Sequence, residues 1–170
     1  LEVLRSLRDE IHAAGLEMEV IESVNIHEDI KKGLPARDRY IENYIATIKN
    51  LALVGVKCLC YNFMPVLDWA RSDLHHTLPD GSQVLSYRHK AVVAQNPAAI
   101  AKSITEGAGG YSMPGWEPER MGQMAADIEF YQSVSVETYW KNMKYLLDAV
   151  VPAAEAAGIR MGIHPDDPPW

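Results

Sequence analysis

Ala156-Ala157-Gly158-Ile159-Arg160-Met161-Gly162-Ile163-His164 is the stretch that decides the fold. An amphipathic run leads into a small pair and a glycine, and a short apolar segment follows. The same joint occurs twice earlier, at Ala13-Ala14-Gly15-Leu16 and at Leu53-Val54-Gly55-Val56. Glycine just past a helix takes the left-handed conformation that closes the last turn, so each joint reads as a helix stop. The strands expected after them cover 16–24, 56–61 and 159–163.

The helices ahead of the joints show in the spacing of apolar residues. Leu4, Leu7, Ile11 and Ala14 mark the first. From Ile41, apolar residues recur at Tyr44, Ile45, Ile48, Leu51 and Ala52, one face of a 3.6-residue period. Val136, Trp140, Met143, Leu147, Val150 and Ala154 repeat the pattern, with Ser135 as candidate N-cap and Glu137 in the first turn. Helices alternating with short apolar strands specify an α/β fold with a parallel sheet.

Three parallel strands cannot close a barrel, which needs eight, and an open sheet leaves apolar edges that natural proteins cover. The chain also starts within a helix and stops just past a polar loop. It therefore reads as one partial barrel domain over 1–170, part of something larger. The segment 64–134 is an insertion within it, far longer than the ~2–6 residues usual for such a loop. It carries a turn signal at Leu78-Pro79-Asp80-Gly81, a helix expected near 98–106, a glycine-rich stretch at 107–110 and both Trp69 and Trp116. A lid, a subunit contact in a homo-oligomer, or both would suit it.

The composition excludes several functions. The chain is 48% hydrophobic and 23% charged, ordinary for a globular protein, with a formal net charge of −7. A duplex binder displays a clustered basic face, and no such run is present, so nucleic acid is not an expected partner. No apolar stretch approaches the ~20 residues of a membrane span and no signal peptide precedes Leu1, which points to the cytoplasm. Cys58 and Cys60 stand two apart; on a strand their Cα atoms would be roughly 6–7 Å apart on one face, a poor disulfide geometry. They read as small buried residues of a reducing compartment, with metal thiolates as the alternative.

In α/β barrels the loops at the strand C-termini build the active site. His164 ends the last strand. Arg160, Gly162 and His164 share one face there, and Gly162 leaves space beneath the imidazole. Imidazole is a common ligand for divalent transition metals, and Asp166 and Asp167 add oxygen donors. A hydrogen-bonded structural histidine before Pro165 is the competing reading. Asn62 ends the second strand, where its amide can hold a substrate hydroxyl or form a turn. Arg71 and Asp73 can meet a carboxylate or pair with each other. Glu22, charged within an apolar strand, needs water or a partner. His27-Glu28-Asp29 is a second ligand cluster or a polar loop, and His75 and His76 read as surface residues. No nucleophile elbow, phosphate-binding glycine loop or HExxH is present.

Three long strings then match a known family in its order. They are 22–31 (Glu22 to Lys31), 60–69 (Cys60 to Trp69) and 164–169 (His164 to Pro169), with Met113-Pro114-Gly115-Trp116 in the insertion. Together they resemble mannonate dehydratase across essentially the whole chain. The resemblance implies a TIM barrel of the xylose-isomerase-like group, whose complete form runs to ~250 residues or more. It implies a hydro-lyase that dehydrates D-mannonate to 2-keto-3-deoxy-D-gluconate in hexuronate (glucuronate) breakdown. The cofactor implied is Mn²⁺, or Fe²⁺ or another divalent metal in its place. The family draws its metal site from His, Cys, His and Asp; its first His corresponds to His164, while Cys58 and Cys60 do not match its ligand cysteine. The remaining ligands and the acid/base residues are expected beyond Trp170, and Asn62, Arg71 and Asp166 are the candidates for substrate binding. Two alternatives stay open: a sugar isomerase or epimerase of the same barrel group, and a non-catalytic module whose sheet edge another chain covers.

Overall fold

All three glycine joints close their helices in the same way. Gly15, Gly55 and Gly158 have φ of 77°, 89° and 71°. In each, the residue after glycine donates its N–H to the carbonyl five positions back: Leu16 to Ile11 at 3.2 Å, Val56 to Leu51 at 3.2 Å, Ile159 to Ala154 at 2.9 Å. The glycine N–H takes the carbonyl three back, completing the Schellman pattern that satisfies otherwise orphaned carbonyls. The chain is thereby turned off the helix axis toward the strand, which begins two residues on at Gly158, three at Gly55 and five at Gly15.

The computed structural model describes residues 1–22, 24–66, 71–93, 126–127 and 129–164. The expected helix near 98–106, the glycine-rich stretch, Trp69 and Trp116 lie outside them. The chain divides into two compact units, one of Leu1–Phe63 with Val134–Pro165 and the other built on Met64–Ser133.

The first unit holds α1 (Glu2–Ala13), β1 (Val20–Glu22), α2 (Glu28–Lys32), α3 (Arg37–Ala52), β2 (Cys58–Tyr61), α5 (Val136–Ala156) and β5 (Arg160–Ile163). Its sheet is parallel in the order β1-β2-β5. The strands are shorter than the sequence indicates, most of all the first, which begins at Val20 rather than at 16. Glu19 marks the limit: its carbonyl accepts the N–H groups of both Lys57 and Cys58, and ladder pairing starts only beyond that point. The pairing then runs Val20–Cys58–Arg160, Ile21–Leu59–Met161 and Glu22–Cys60–Gly162 across the three strands.

Alternation along a strand sorts these rows onto two faces. Ile21, Leu59, Met161 and Tyr61 lie on the face packed by helices, where Leu59 is wholly buried. Ile41, Tyr44, Ile48 and Leu51 of α3 and Leu146, Val150 and Ala154 of α5 complete that core. Val20, Cys58, Arg160, Glu22, Cys60 and Gly162 form the other face, where Val20, Glu22 and Arg160 are exposed. Both cysteines are half-buried thiols outside any disulfide.

Ser135 caps α5 as its sequence suggests, its Oγ accepting the Thr138 N–H at 3.1 Å. The buried stripe of that helix, however, runs through Asn142, Leu146, Val150 and Ala154, leaving Val136 and Trp140 exposed. In α1, Leu4 and Ile11 reach the core while Leu7 stays largely outside. No described helix is long and apolar enough to cross a membrane.

The second unit contributes an antiparallel hairpin, β3 (Asp73–Thr77) with β4 (Gln83–Ser86), followed by α4 (His89–Val93). The turn signal is its loop: the Gly81 N–H donates to the Leu78 carbonyl at 2.9 Å and Gly81 has φ 84°. Asp80 braces the loop by accepting the N–H and the hydroxyl of Ser82, which hold its carboxyl below the usual range.

Candidate functional site

His164 stands immediately after β5, where the α5 joint has aimed the chain across the sheet. Its N–H donates to the Tyr61 carbonyl at 2.8 Å, which extends the β2–β5 ladder one residue past the strand. Because Tyr61 pairs with Ile163, Asn62 and His164 are the next residues out on neighbouring chains, at the strand C-termini. The imidazole is about half exposed, and its Nε2 lies 3.7 Å from Glu22 Oε1. Glu22, the charged residue within an apolar strand, thus finds its partner two strands away on the same face.

A second group of polar residues supports this end of the sheet. The Tyr139 hydroxyl donates to the Phe63 carbonyl at 2.5 Å, and the two rings meet at 5.0 Å. That bond pins the chain one residue past Asn62. Burial, reinforced by the charge of Glu28, pushes the Tyr139 hydroxyl far above the ordinary phenol range, so it stays a donor. Beside it, Lys31 is buried to 3% exposure and reaches Glu28 at 2.8 Å, while the Asn142 amide donates to the Lys31 carbonyl.

His27-Glu28-Asp29 proves to be helix-capping machinery. His27 is the N-cap of α2, its Nδ1 accepting the Asp29 N–H at 3.1 Å, and its ring stacks on Tyr40 at 3.5 Å. Glu28 serves Lys31. Asp73 likewise accepts the His75 N–H at 2.9 Å and lies 3.8 Å from His76, which places both histidines on a hairpin strand. Arg71 precedes that strand in the second unit and is half-buried. Asp166 and Asp167 lie outside the described residues.

Sequence reasoning missed α2, the hairpin strands and the Lys31–Asn142 pair. Two signals were available: Lys32-Gly33-Leu34 repeats the glycine joint, with Gly33 at φ 70°, and Asn142 is a polar residue in an apolar helical stripe.

An imidazole at a strand end suits a divalent transition ion as one of its donors, and a carboxylate facing the ring can orient it. Among the described residues no third His, Cys, Asp or Glu joins them to complete a cluster.

A family model described as D-mannonate dehydratase (UxuA) matches residues 1–170 from end to end. The chain belongs to the D-mannonate dehydratase family. The mannonate dehydratase of Thermotoga petrophila is 50% identical over 170 residues, covering 100% of this chain and 47% of that protein. The mannonate dehydratase of Geobacillus thermodenitrificans is 49% identical, again over 100% of this chain and 46% of the relative. Among solved structures, the crystal structure of mannonate dehydratase from Streptococcus suis serotype 2 superimposes with a TM-score of 0.79 at 43% identity, covering 97% of this chain and 41% of that one. The chain therefore spans about half the length of the mannonate dehydratases it matches. Its three-stranded parallel sheet is consistent with part of a TIM-barrel-like fold.

Proposed function

We propose that the protein carrying this chain is a metal-dependent mannonate dehydratase, converting D-mannonate to 2-keto-3-deoxy-D-gluconate in hexuronate breakdown in the cytoplasm. The observation that carries the reading is the family match over residues 1–170. The placement of His164 at the C-terminal end of β5, on the open face of the sheet, supports its local part. That is the end at which barrel enzymes assemble their sites.

His164 is the residue of this chain that would hold the cation, Mn²⁺ or another divalent ion. The cation supplies positive charge against the negative charge that builds on the substrate carboxylate as the C2 proton leaves. Asn62, beside His164 at the sheet end, offers an amide donor and acceptor to a sugar hydroxyl. Tyr139 fixes the backbone that carries Asn62 through its bond to the Phe63 carbonyl. Arg71 and Asp166 stay as further candidates for binding an anionic polyol, by charge and by acceptor chemistry respectively. The segment 64–134 is proposed as a lid or as a contact in a homo-oligomer.

The test is a turnover assay on the protein in its complete native form, with D-mannonate and Mn²⁺, detecting the 2-keto-3-deoxy acid. Product that vanishes in His164→Ala supports the reading. An isomeric sugar acid formed without loss of water would replace it with the isomerase or epimerase alternative.

A further inference from the structure

We infer that Glu22 is a positioning residue for His164, its carboxylate turning the imidazole so that the second ring nitrogen faces the cation. The inference rests on the reading of His164 as a metal ligand and extends it to a residue on another strand.

Four observations converge on Glu22. It is a carboxylate in the row Glu22–Cys60–Gly162, on a face it shares with Val20, Cys58 and, two strands away and one row back, Arg160. Nothing about the stability of a short strand calls for a charge there. Among the described residues its carboxylate faces His164, Oε1 lying 3.7 Å from Nε2.

The backbone of His164 is already fixed by its bond to the Tyr61 carbonyl, so only rotation of the side chain is left to determine. Gly162, two residues earlier on the same face, sits in open surroundings, since even a Cβ placed on it would meet nothing within 4 Å. The imidazole can therefore lean toward β1, and a carboxylate awaits it there.

A metal-ligating histidine generally passes its other ring N–H to a carboxylate or carbonyl, which fixes the tautomer and raises the basicity of the ligating nitrogen. Glu22 stands on the Nε2 side of the ring, so that in this role Nδ1 would be the nitrogen that faces the ion. At 3.7 Å the two atoms stand just beyond hydrogen-bond length, and in this role the side chains close that gap. Glu22 touches neither substrate nor reacting atoms in this role; it acts through His164.

The test is Mn²⁺ affinity, read from the electron paramagnetic resonance of free Mn²⁺ in titrations of the complete native protein, with melting temperature measured alongside. His164→Ala should abolish binding. Glu22→Ala should weaken it about 10–100-fold with melting unchanged, the effect typical of removing such a partner. Glu22→Gln, which keeps an acceptor oxygen, should lose less, and it decides the matter if the alanine variant does not fold. Wild-type Mn²⁺ affinity in both Glu22 variants, beside a dead His164→Ala, overturns the positioning role and leaves the ligand reading intact. Undiminished affinity in His164→Ala overturns the ligand reading, and the role of Glu22 with it.

Discussion

The side-chain amide of Asn142 donates to the backbone carbonyl of Lys31 at 2.9 Å in the interior, so that α5 holds the last turn of α2. Asn142→Ala leaves that carbonyl without its donor in a place water does not reach. The expected cost is about 1–3 kcal/mol, read from urea or thermal unfolding. A variant as stable as wild type would show that the α2 turn re-forms around another donor.

Gly33 and Gly158 both adopt positive φ, yet alanine should act differently at the two. At Gly158 the new Cβ meets nothing, so Gly158→Ala carries only the left-handed backbone penalty of about 1–2 kcal/mol. At Gly33 it would lie 2.7 Å from Asn142 Oδ1, so Gly33→Ala should cost more. Combining Gly33→Ala with Asn142→Ala should cost less than the sum of the two, which a double-mutant cycle in unfolding free energy would reveal.

Leu146 is fully buried between α5 and the sheet. Leu146→Ala should destabilise the first unit by about 2–5 kcal/mol, the transfer term plus the cavity left behind. Trp140, on the same helix but exposed, should tolerate alanine with little change in melting temperature.

Tyr44, Tyr61 and Tyr139 all have hydroxyls raised above 10.0, each by burial first. A raised phenol binds its proton more tightly folded than unfolded. Its contribution is therefore complete below the unfolded value and is lost as pH climbs through 10 toward the folded values. The protein should lose stability steeply above about pH 10, and Tyr139→Phe should flatten that alkaline limb while giving up the Phe63 bond at neutral pH. A pH-independent stability from 8 to 11 would contradict this account.

Asn62 should matter to turnover rather than to folding. On the proposed dehydratase reading, Asn62→Ala in the complete native protein is expected to lower kcat/KM for D-mannonate by about 10–100-fold, the scale of one or two lost polar contacts, with melting unchanged. Equal loss of stability and activity would make Asn62 a turn-former instead.

The helix-to-strand plan was legible because glycine at a joint has a single cheap explanation: φ of 77°, 89° and 71° is left-handed backbone that other residues adopt only under strain. Strand ends were less legible, since pairing depends on where the neighbour begins. Leu16 is as apolar as Ile21 but has no ladder partner. The cluster at His27 could be read as metal ligands or as a polar loop because capping and coordination use the same atoms, and only geometry shows the Asp29 N–H already on Nδ1. Glu22 was recognisable as needing a partner, but which one depended on the order β1-β2-β5, which brings residues at opposite ends of the sequence onto one face.

That strand order also sets a timetable. β2 sits in the middle and is paired on both edges, but its neighbours come from very different distances along the chain. Joining β1 to β2 closes the span from Glu22 to Cys58, whose ends are already steered by the Gly55 joint. Joining β5 closes the longer span from Tyr61 to Arg160, and the entropy of closing a span grows, slowly, with its length. The β1–α3–β2 layer should therefore assemble early, with β5 docking as the slow step. His164 meets Glu22 only when β5 pairs with β2, so this contact forms after the β1–α3–β2 layer rather than with it.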